Sequence, residues 1–159
     1  MSEVRSAITA HERLEYELTL FSRHYLAAAQ HRPAQVLDRS AYLILSRLEL
    51  DIALSFKEIA EAFRLDVSTV NRQVGSMLKH GLVERVVDPK GGVARKVQAT
   101  EAGLAALRAD REQSRQGVAK VVAEWDDHEV EQMHALITKF NRSIEALENN
   151  RWPRPSQAT

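Results

Sequence analysis

SFKEIAEAFRLDVSTVNRQVGSMLKHG, residues 55–81, holds two helix starts and one helix stop in a single short stretch. Ser55-Phe-Lys-Glu58 is a capping box, in which each side chain serves an orphan backbone N–H of the other residue. Leu54 and Ile59 flank it at the positions of a hydrophobic staple, and the helix should run from Phe56 to about Phe63. Asp66 is the next N-cap, with Leu65 and Val70 as its staple pair. The helix that follows buries Val70, Val74 and Met77 or Leu78. It stops at Gly81, a residue that adopts the left-handed conformation without steric penalty. Two short helices separated by about three residues have the spacing of a helix-turn-helix.

Beyond Gly81 the apolar period falls from 3.6 to about two. Leu82 to Val87 reads as a strand, Asp88-Pro-Lys-Gly-Gly92 as a turn, and Arg95 to Ala99 as the return strand. A hairpin behind a helix-turn-helix makes a winged helix. Upstream, Asp38 caps a helix whose apolar face is Tyr42, Leu45 and Leu48, with Leu37 as staple. Before that, Leu14, Leu18, Phe21, Tyr25 and Ala28 form one helical stripe that closes near Pro33. Downstream, Thr100 caps a long helix reaching to Glu124. Its stripe of Leu104, Leu107, Val118, Val121 and Trp125 is broken by Arg111 and Ser114. Asp126-x-x-Glu129 starts a last helix with Val130, Met133, Ile137, Phe140, Ile144 and Leu147 at three-four spacing.

The expected fold is therefore mainly α with a small β-hairpin wing. Residues 1–37 form an N-terminal dimerisation helix, 38–99 the winged helix-turn-helix domain, 100–149 C-terminal dimerisation helices, and 150–159 a flexible tail. The outer seams are covered either inside one chain, as a bundle, or between two chains. Because a winged helix is complete without them, we take the second reading. Leu14, Leu18, Val130, Met133, Ile137, Phe140, Ile144 and Leu147 are then the homodimer interface. A two-fold dimer sets its recognition helices about one DNA turn, roughly 34 Å, apart.

Composition narrows the function. The 159 residues carry 22 basic and 22 acidic side chains and no cysteine. A disulfide framework, a thiolate zinc site and a cysteine redox switch are excluded. No apolar run approaches the length of a membrane helix, and residues 1–10 lack the apolar core of a secretion signal, so a cytoplasmic protein with no membrane partner is expected. His24 and His31, and His128 and His134, are not spaced to share a metal, so no metal site and no cofactor are expected. No phosphate loop, nucleophile elbow or zinc-protease helix occurs, so no catalytic residue and no enzyme is expected.

Charge is distributed unevenly along the neutral chain. Between Arg64 and Gln98 seven basic residues stand against three acidic ones, a local excess of four positive charges. From Val67 to His80 there is no acidic residue at all. The polar face of this helix shows Ser68, Thr69, Arg72, Ser76 and Lys79, flanked by Asn71 and Gln73. Arginine fits the guanine edge with two bonds, and Asn and Gln fit adenine similarly. Lys90 and Arg95 at the wing add charge suited to phosphate or to a narrow minor groove. Double-stranded DNA is the partner this pattern fits.

Asp66-Val-Ser-Thr-Val-Asn-Arg72, Leu78-Lys-His-Gly-Leu-Val-Glu-Arg85, Asp88-Pro89 and Thr100-Glu-Ala-Gly103 together resemble the MarR family of bacterial transcriptional regulators, and the helical layout extends the resemblance to nearly the whole chain. The resemblance implies a homodimeric regulator, usually a repressor, on a pseudo-palindromic operator. It implies Ser68, Thr69, Asn71 and Arg72 near bases or phosphates. It also implies a pocket for a small aromatic or anionic effector between the dimerisation helices and the winged domain. His24, Tyr42, Arg108 and Arg111 are the candidates to line that pocket, with an internal Glu the expected partner of Arg111. Two departures stand out. The family often has Asp-x-Arg in the wing, where this chain has Gly91-Gly92-Val93. Gly75 stands mid-helix where the family commonly has Asp. The alternatives are a metal-responsive regulator of the same fold, or a winged-helix protein-interaction module without DNA binding.

Overall fold

The computed structural model describes residues 8–30 and 35–155, with side chains described in the first segment as far as Ala27. His31, Pro33 and the side chain of Ala28 lie outside the described residues. Two units are compact in themselves, Met1–Gln35 and Val36–Thr159.

The first unit contains one helix, α1 (Ala10–Gln30). Thr9 starts it with a reciprocal cap: its N–H donates to Glu12 Oε2 at 2.6 Å, and its Oγ1 accepts from the Glu12 N–H at 3.2 Å. Leu14, Phe21 and Tyr25 on its apolar stripe are exposed, and Phe21 stacks on Tyr25 at 5.9 Å.

The second unit is built of α2 (Arg39–Asp51), α3 (Phe56–Phe63), α4 (Val67–Lys79), β1 (Val83–Val87), β2 (Arg95–Ala99), α5 (Glu101–Val121) and α6 (Asp127–Glu148). The strands pair antiparallel, from Val83 opposite Ala99 to Val87 opposite Arg95. Leu54 adds a one-residue third strand, exchanging backbone bonds of 3.0 and 2.8 Å with Val97. The core lies among α2, α3, α4, the hairpin and the start of α5. Leu45, Leu48, Ile59, Val70, Val74, Val97 and Leu107 are its fully enclosed side chains.

Local chemistry explains most of the boundaries. Asp38 accepts from the Ala41 N–H at 2.8 Å. Ser55 and Glu58 form the reciprocal capping box, at 2.7 and 3.1 Å. Gly81, at φ +69°, ends α4 in a Schellman turn: the Leu82 N–H reaches Met77 O at 2.9 Å and the Gly81 N–H reaches Leu78 O at 3.2 Å. Thr100 ties this turn to α5. Its hydroxyl donates to Gly81 O at 2.6 Å and accepts from the Gly103 N–H at 3.0 Å. A side chain at Gly103 would collide with the Leu82 carbonyl, so only glycine lets α5 approach so closely.

Several expectations need correction. Asp66 occupies the N-cap position of α4 in extended backbone, but its side chain makes no capping bond. The buried face of α2 is Ala41, Ile44, Leu45 and Leu48, with Tyr42 half-buried beside it. Helix α5 ends at Val121 rather than Glu124, because the Asp126–Glu129 capping box starts α6 and the chain must turn before it. The buried positions of α5 are Gly103, Leu107 and Asp110, a seven-residue face one step round from the expected stripe. Arg111 thus lies at the edge of the packed face, and Val118, Val121 and Trp125 are exposed.

Residues 150–155, expected as part of a flexible tail, make specific side-chain contacts in the structure. Asn149, at φ +49°, ends α6 and turns the chain back. The Trp152 ring meets Phe63 edge-on at 5.0 Å, and Arg154 holds Glu145 with bonds of 2.6 and 3.1 Å. The aromatic and the arginine supply an anchor that the proline-rich composition concealed. Residues 156–159 lie outside the described residues.

Candidate nucleic-acid interface

Helix α4 stands on the core through Val70, Val74 and Met77, all enclosed. That packing turns Ser68, Asn71, Arg72, Ser76 and Lys79 outward, and all five are exposed. Thr69 is half-buried. Gln73 is half-buried as well, and its amide donates to Ser40 Oγ at 3.0 Å. Gln73 therefore ties α4 to the first turn of α2, so a base contact would require it to leave Ser40. Gly75 sits on the outward face, and a side chain there would meet nothing within 4 Å. The fold does not require glycine at this position.

The wing is built around Lys96. Its ammonium lies 3.2 Å from Glu58 and 3.6 Å from Asp88, and its side chain is only 11% exposed. Glu58 is held below the ordinary carboxylate range, mainly by the Ser55 backbone N–H, with Lys96 adding in the same direction. Asp88 also accepts from the Lys90 N–H at 2.9 Å, and the Gly91 N–H closes the turn onto Asp88 O at 2.9 Å. Lys90 and Arg95 are exposed on either side of this turn.

The local charge excess is smaller in effect than the sequence count. Lys96 is spent inside the wing, Arg64 pairs with Glu148 at 3.1 Å, and the Arg85 guanidinium lies over Phe56 at 5.7 Å. Arg72, Lys79, Lys90 and Arg95 make no ion pair among the described residues. These four, with the exposed Arg85 over Phe56, are the cations of this region available to an outside anion.

Of the four candidate effector residues, Tyr42 and Arg111 meet around Glu49. His24 belongs to α1, in the other compact unit. Arg108 pairs with Glu101 at 2.6 Å on the surface. Arg111 meets an internal acid, as expected: both its terminal nitrogens bond Glu49, at 3.2 and 2.9 Å. This pair raises the Arg111 pKa, and Tyr42 contributes with the same sign. Tyr42 and Arg111 thus share a cluster with Glu49. Among the described residues no three acidic or histidine side chains converge on a metal position, and no helix is long and apolar enough to cross a membrane.

On α6, Val130, Met133, Ile137, Phe140 and Ile144 form one row, each 36–44% exposed. Leu147 is 89% exposed. Two residues escaped the sequence reading. Asp110, 2% exposed, accepts from the backbone N–H groups of Val36 at 3.0 Å and Leu37 at 2.9 Å. Its spacing from Gly103 and Leu107 was the available signal. Trp152 had none beyond being a large aromatic in a polar tail.

Residues 37–92 match the sequence pattern of the MarR family. The chain is 34% identical over 135 residues to YxaD of Bacillus subtilis, an uncharacterized HTH-type transcriptional regulator, covering 84% of this chain and 94% of that protein. The chain belongs to the MarR family. It is a transcriptional regulator of that family, whose members are regulators rather than enzymes. Solved structures agree on the fold. A MarR family protein from Bacillus stearothermophilus is 22% identical, with a TM-score of 0.69 over 84% of this chain and 96% of that one. MepR of Staphylococcus aureus in complex with DNA is 20% identical, with a TM-score of 0.64 over 86% and 99%. MepR bound to ethidium bromide is 21% identical, with a TM-score of 0.58 over 82% and 95%.

Proposed function

We propose that this MarR-family protein is a homodimer that reads a pseudo-palindromic operator with α4, represses transcription there, and is released by a small aromatic or anionic effector. The observation that carries the DNA reading is the outward face of α4. It is exposed, free of acids, and carries Arg72 and Lys79 without ion-pair partners among the described residues. A guanidinium in that position can take a guanine edge with two bonds, while Ser68, Asn71 and Ser76 supply short polar contacts to bases or phosphates. Thr69 and Gln73 stand at the margin of this face. Lys90 and Arg95 extend it to the flanking phosphates. That the relative MepR has been solved with DNA supports the same use of this fold here.

The homodimer reading rests on the apolar row of α6 and on the apolar face of α1, including Leu14 and Leu18. A row of five large apolar residues left more than a third exposed has the character of an interface awaiting its other half. The effector reading rests on the family and on MepR having been solved with ethidium. In this chain the Tyr42–Glu49–Arg111 cluster is the nearest match to it, and an anionic effector would have to displace Glu49 from Arg111.

The test is selection of genomic DNA fragments by the purified protein at two salt concentrations. A palindrome with half-sites about one turn apart is expected, with affinity falling as salt rises. Arg72→Ala should then weaken binding to the selected site by about 1–3 kcal/mol. Absence of any enrichment, or an Arg72→Ala affinity equal to wild type, would refute this assignment of α4.

A further inference from the structure

The C-terminal segment 149–155 grips the last two residues of α3, and the end of α6 holds the residue that follows them. Asn150 Nδ2 donates to the Ala62 carbonyl at 3.0 Å, satisfying a helix-end acceptor. The Trp152 ring stands edge-on to Phe63 at 5.0 Å and 85°. Glu148 pairs with Arg64 at 3.1 Å. Arg64 is itself in the left-handed conformation, at φ +54°, and begins the turn that launches α4. The Arg47 guanidinium lies over the indole, 4.9 Å from the ring centroid, with its Nε bonded to Asp51. Arg47 Nη1 is buried there with no partner among the described residues. Enclosing an unpaired guanidinium nitrogen is unfavourable, so the packing of Trp152 has to outweigh it. Arg154 closes the loop, bonding both Glu145 on α6 and the Trp152 carbonyl at 3.0 Å.

We infer that residues 149–155 are a strap that positions the turn of the helix-turn-helix, and through it α4, with Trp152 as the anchor. The turn Arg64-Leu65-Asp66 holds few bonds of its own. The Arg64 and Leu65 N–H groups reach back to α3, to Glu61 O at 3.3 Å and Ala60 O at 3.0 Å, and the Asp66 side chain makes no cap. The direction of α4 is therefore set from one side by the core and from the other by whatever holds residues 62–64. The strap holds residues 62 and 63 and Glu148 of α6 holds Arg64, so the last helix and the recognition helix are mechanically linked within one chain. This rests on α4 being the DNA-reading helix. Trp152 is a positioning residue and has no place in the DNA contact itself.

The experiment compares full-length wild type, Trp152→Ala, Trp152→Phe and Arg72→Ala on duplex DNA selected by the wild type. Trp152→Ala is expected to weaken binding roughly 2- to 12-fold, the equivalent of one lost edge-to-face pair. Trp152→Phe, which keeps an aromatic edge for Phe63, is expected to recover most of that loss. Hydrogen exchange should speed up at the amides of Arg64 and Leu65 in Trp152→Ala and stay slow in the core of α2. If Trp152→Ala does not fold, Arg154→Ala, which loosens the strap from an exposed pair, must show the same two changes in smaller degree. Unchanged affinity and exchange in the strap variants, with Arg72→Ala weakened, would remove the strap's role and leave α4 as the reader. If Arg72→Ala binds like wild type, the assignment of α4 falls and the strap's role falls with it.

Discussion

Replacing Asp110 tests whether a buried carboxylate fastens the start of the winged domain. Asp110 lies on α5, and its two oxygens accept from the N–H groups of Val36 and Leu37, just ahead of α2. Truncation to alanine leaves both donors without a partner. The two losses are unequal. Val36 is 68% exposed, so its N–H is rehydrated at little cost, whereas Leu37 is 3% exposed and its N–H stays dry. A hydrogen bond to a charged group contributes about 1.5–3 kcal/mol, and an orphaned buried donor costs about 1–3 kcal/mol. The Leu37 bond dominates, so Asp110→Ala should destabilise by about 2–3 kcal/mol. Asp110→Asn keeps one acceptor oxygen but turns an amide NH₂ toward the other donor, and should lose about half as much. Urea unfolding at fixed protein concentration measures both, since self-association would make the midpoint concentration-dependent. The midpoint should fall with the slope unchanged. If both variants lie within about 0.5 kcal/mol of wild type, the bonds from Asp110 are not what fastens this junction.

Gly75→Ala separates folding from DNA binding. With open space around the position, alanine should stabilise α4 by about 1 kcal/mol in thermal unfolding. If DNA passes close to this face, the same variant should bind operator less tightly, and equal affinity would show that the glycine makes no room for DNA. Ile137→Asp places a charge in the apolar row of α6 and should convert the proposed dimer to monomer in sedimentation, since an unpaired charge is not tolerated in a closed seam; a fully dimeric variant would move the interface elsewhere. Glu58 is held below its ordinary pKa of 4.5. A lowered native value means its contribution is fully present above the unfolded pKa and is lost as pH falls through the folded one. Glu58→Gln should therefore flatten the loss of stability on acidification below about pH 4.5, and an unaltered acid profile would exclude this group as a source of it.

The helix boundaries were read from short motifs, and the strongest of these encode local geometry. Ser55–Glu58, Gly81 and Asp126–Glu129 each act within a few residues, so their effect on the chain is nearly complete before any tertiary contact forms. Asp66 shows the limit of such motifs. Its residue type and backbone conformation suit a cap, and yet the side chain makes no bond.

What the amino-acid sequence determined alone is the order of the elements, the helix-turn-helix spacing, and an α4 face without acids. These follow from periodicity, from caps, and from which residue types are absent, all of which are local properties. The tertiary structure decided which charges remain available. Lys96 and Arg64 count as cations in the sequence, but Glu58, Asp88 and Glu148 come from other elements to neutralise them. It also decided that Asp110 rather than Arg111 faces the core, because a rotation of one residue about α5 changes which side chains meet α2. And it decided that Trp152 anchors a strap rather than ending a tail, since its partners Phe63 and Arg47 lie far back in the chain. Ion pairs and aromatic contacts between distant residues depend on distances that only the folded chain sets, and no local pattern encodes them.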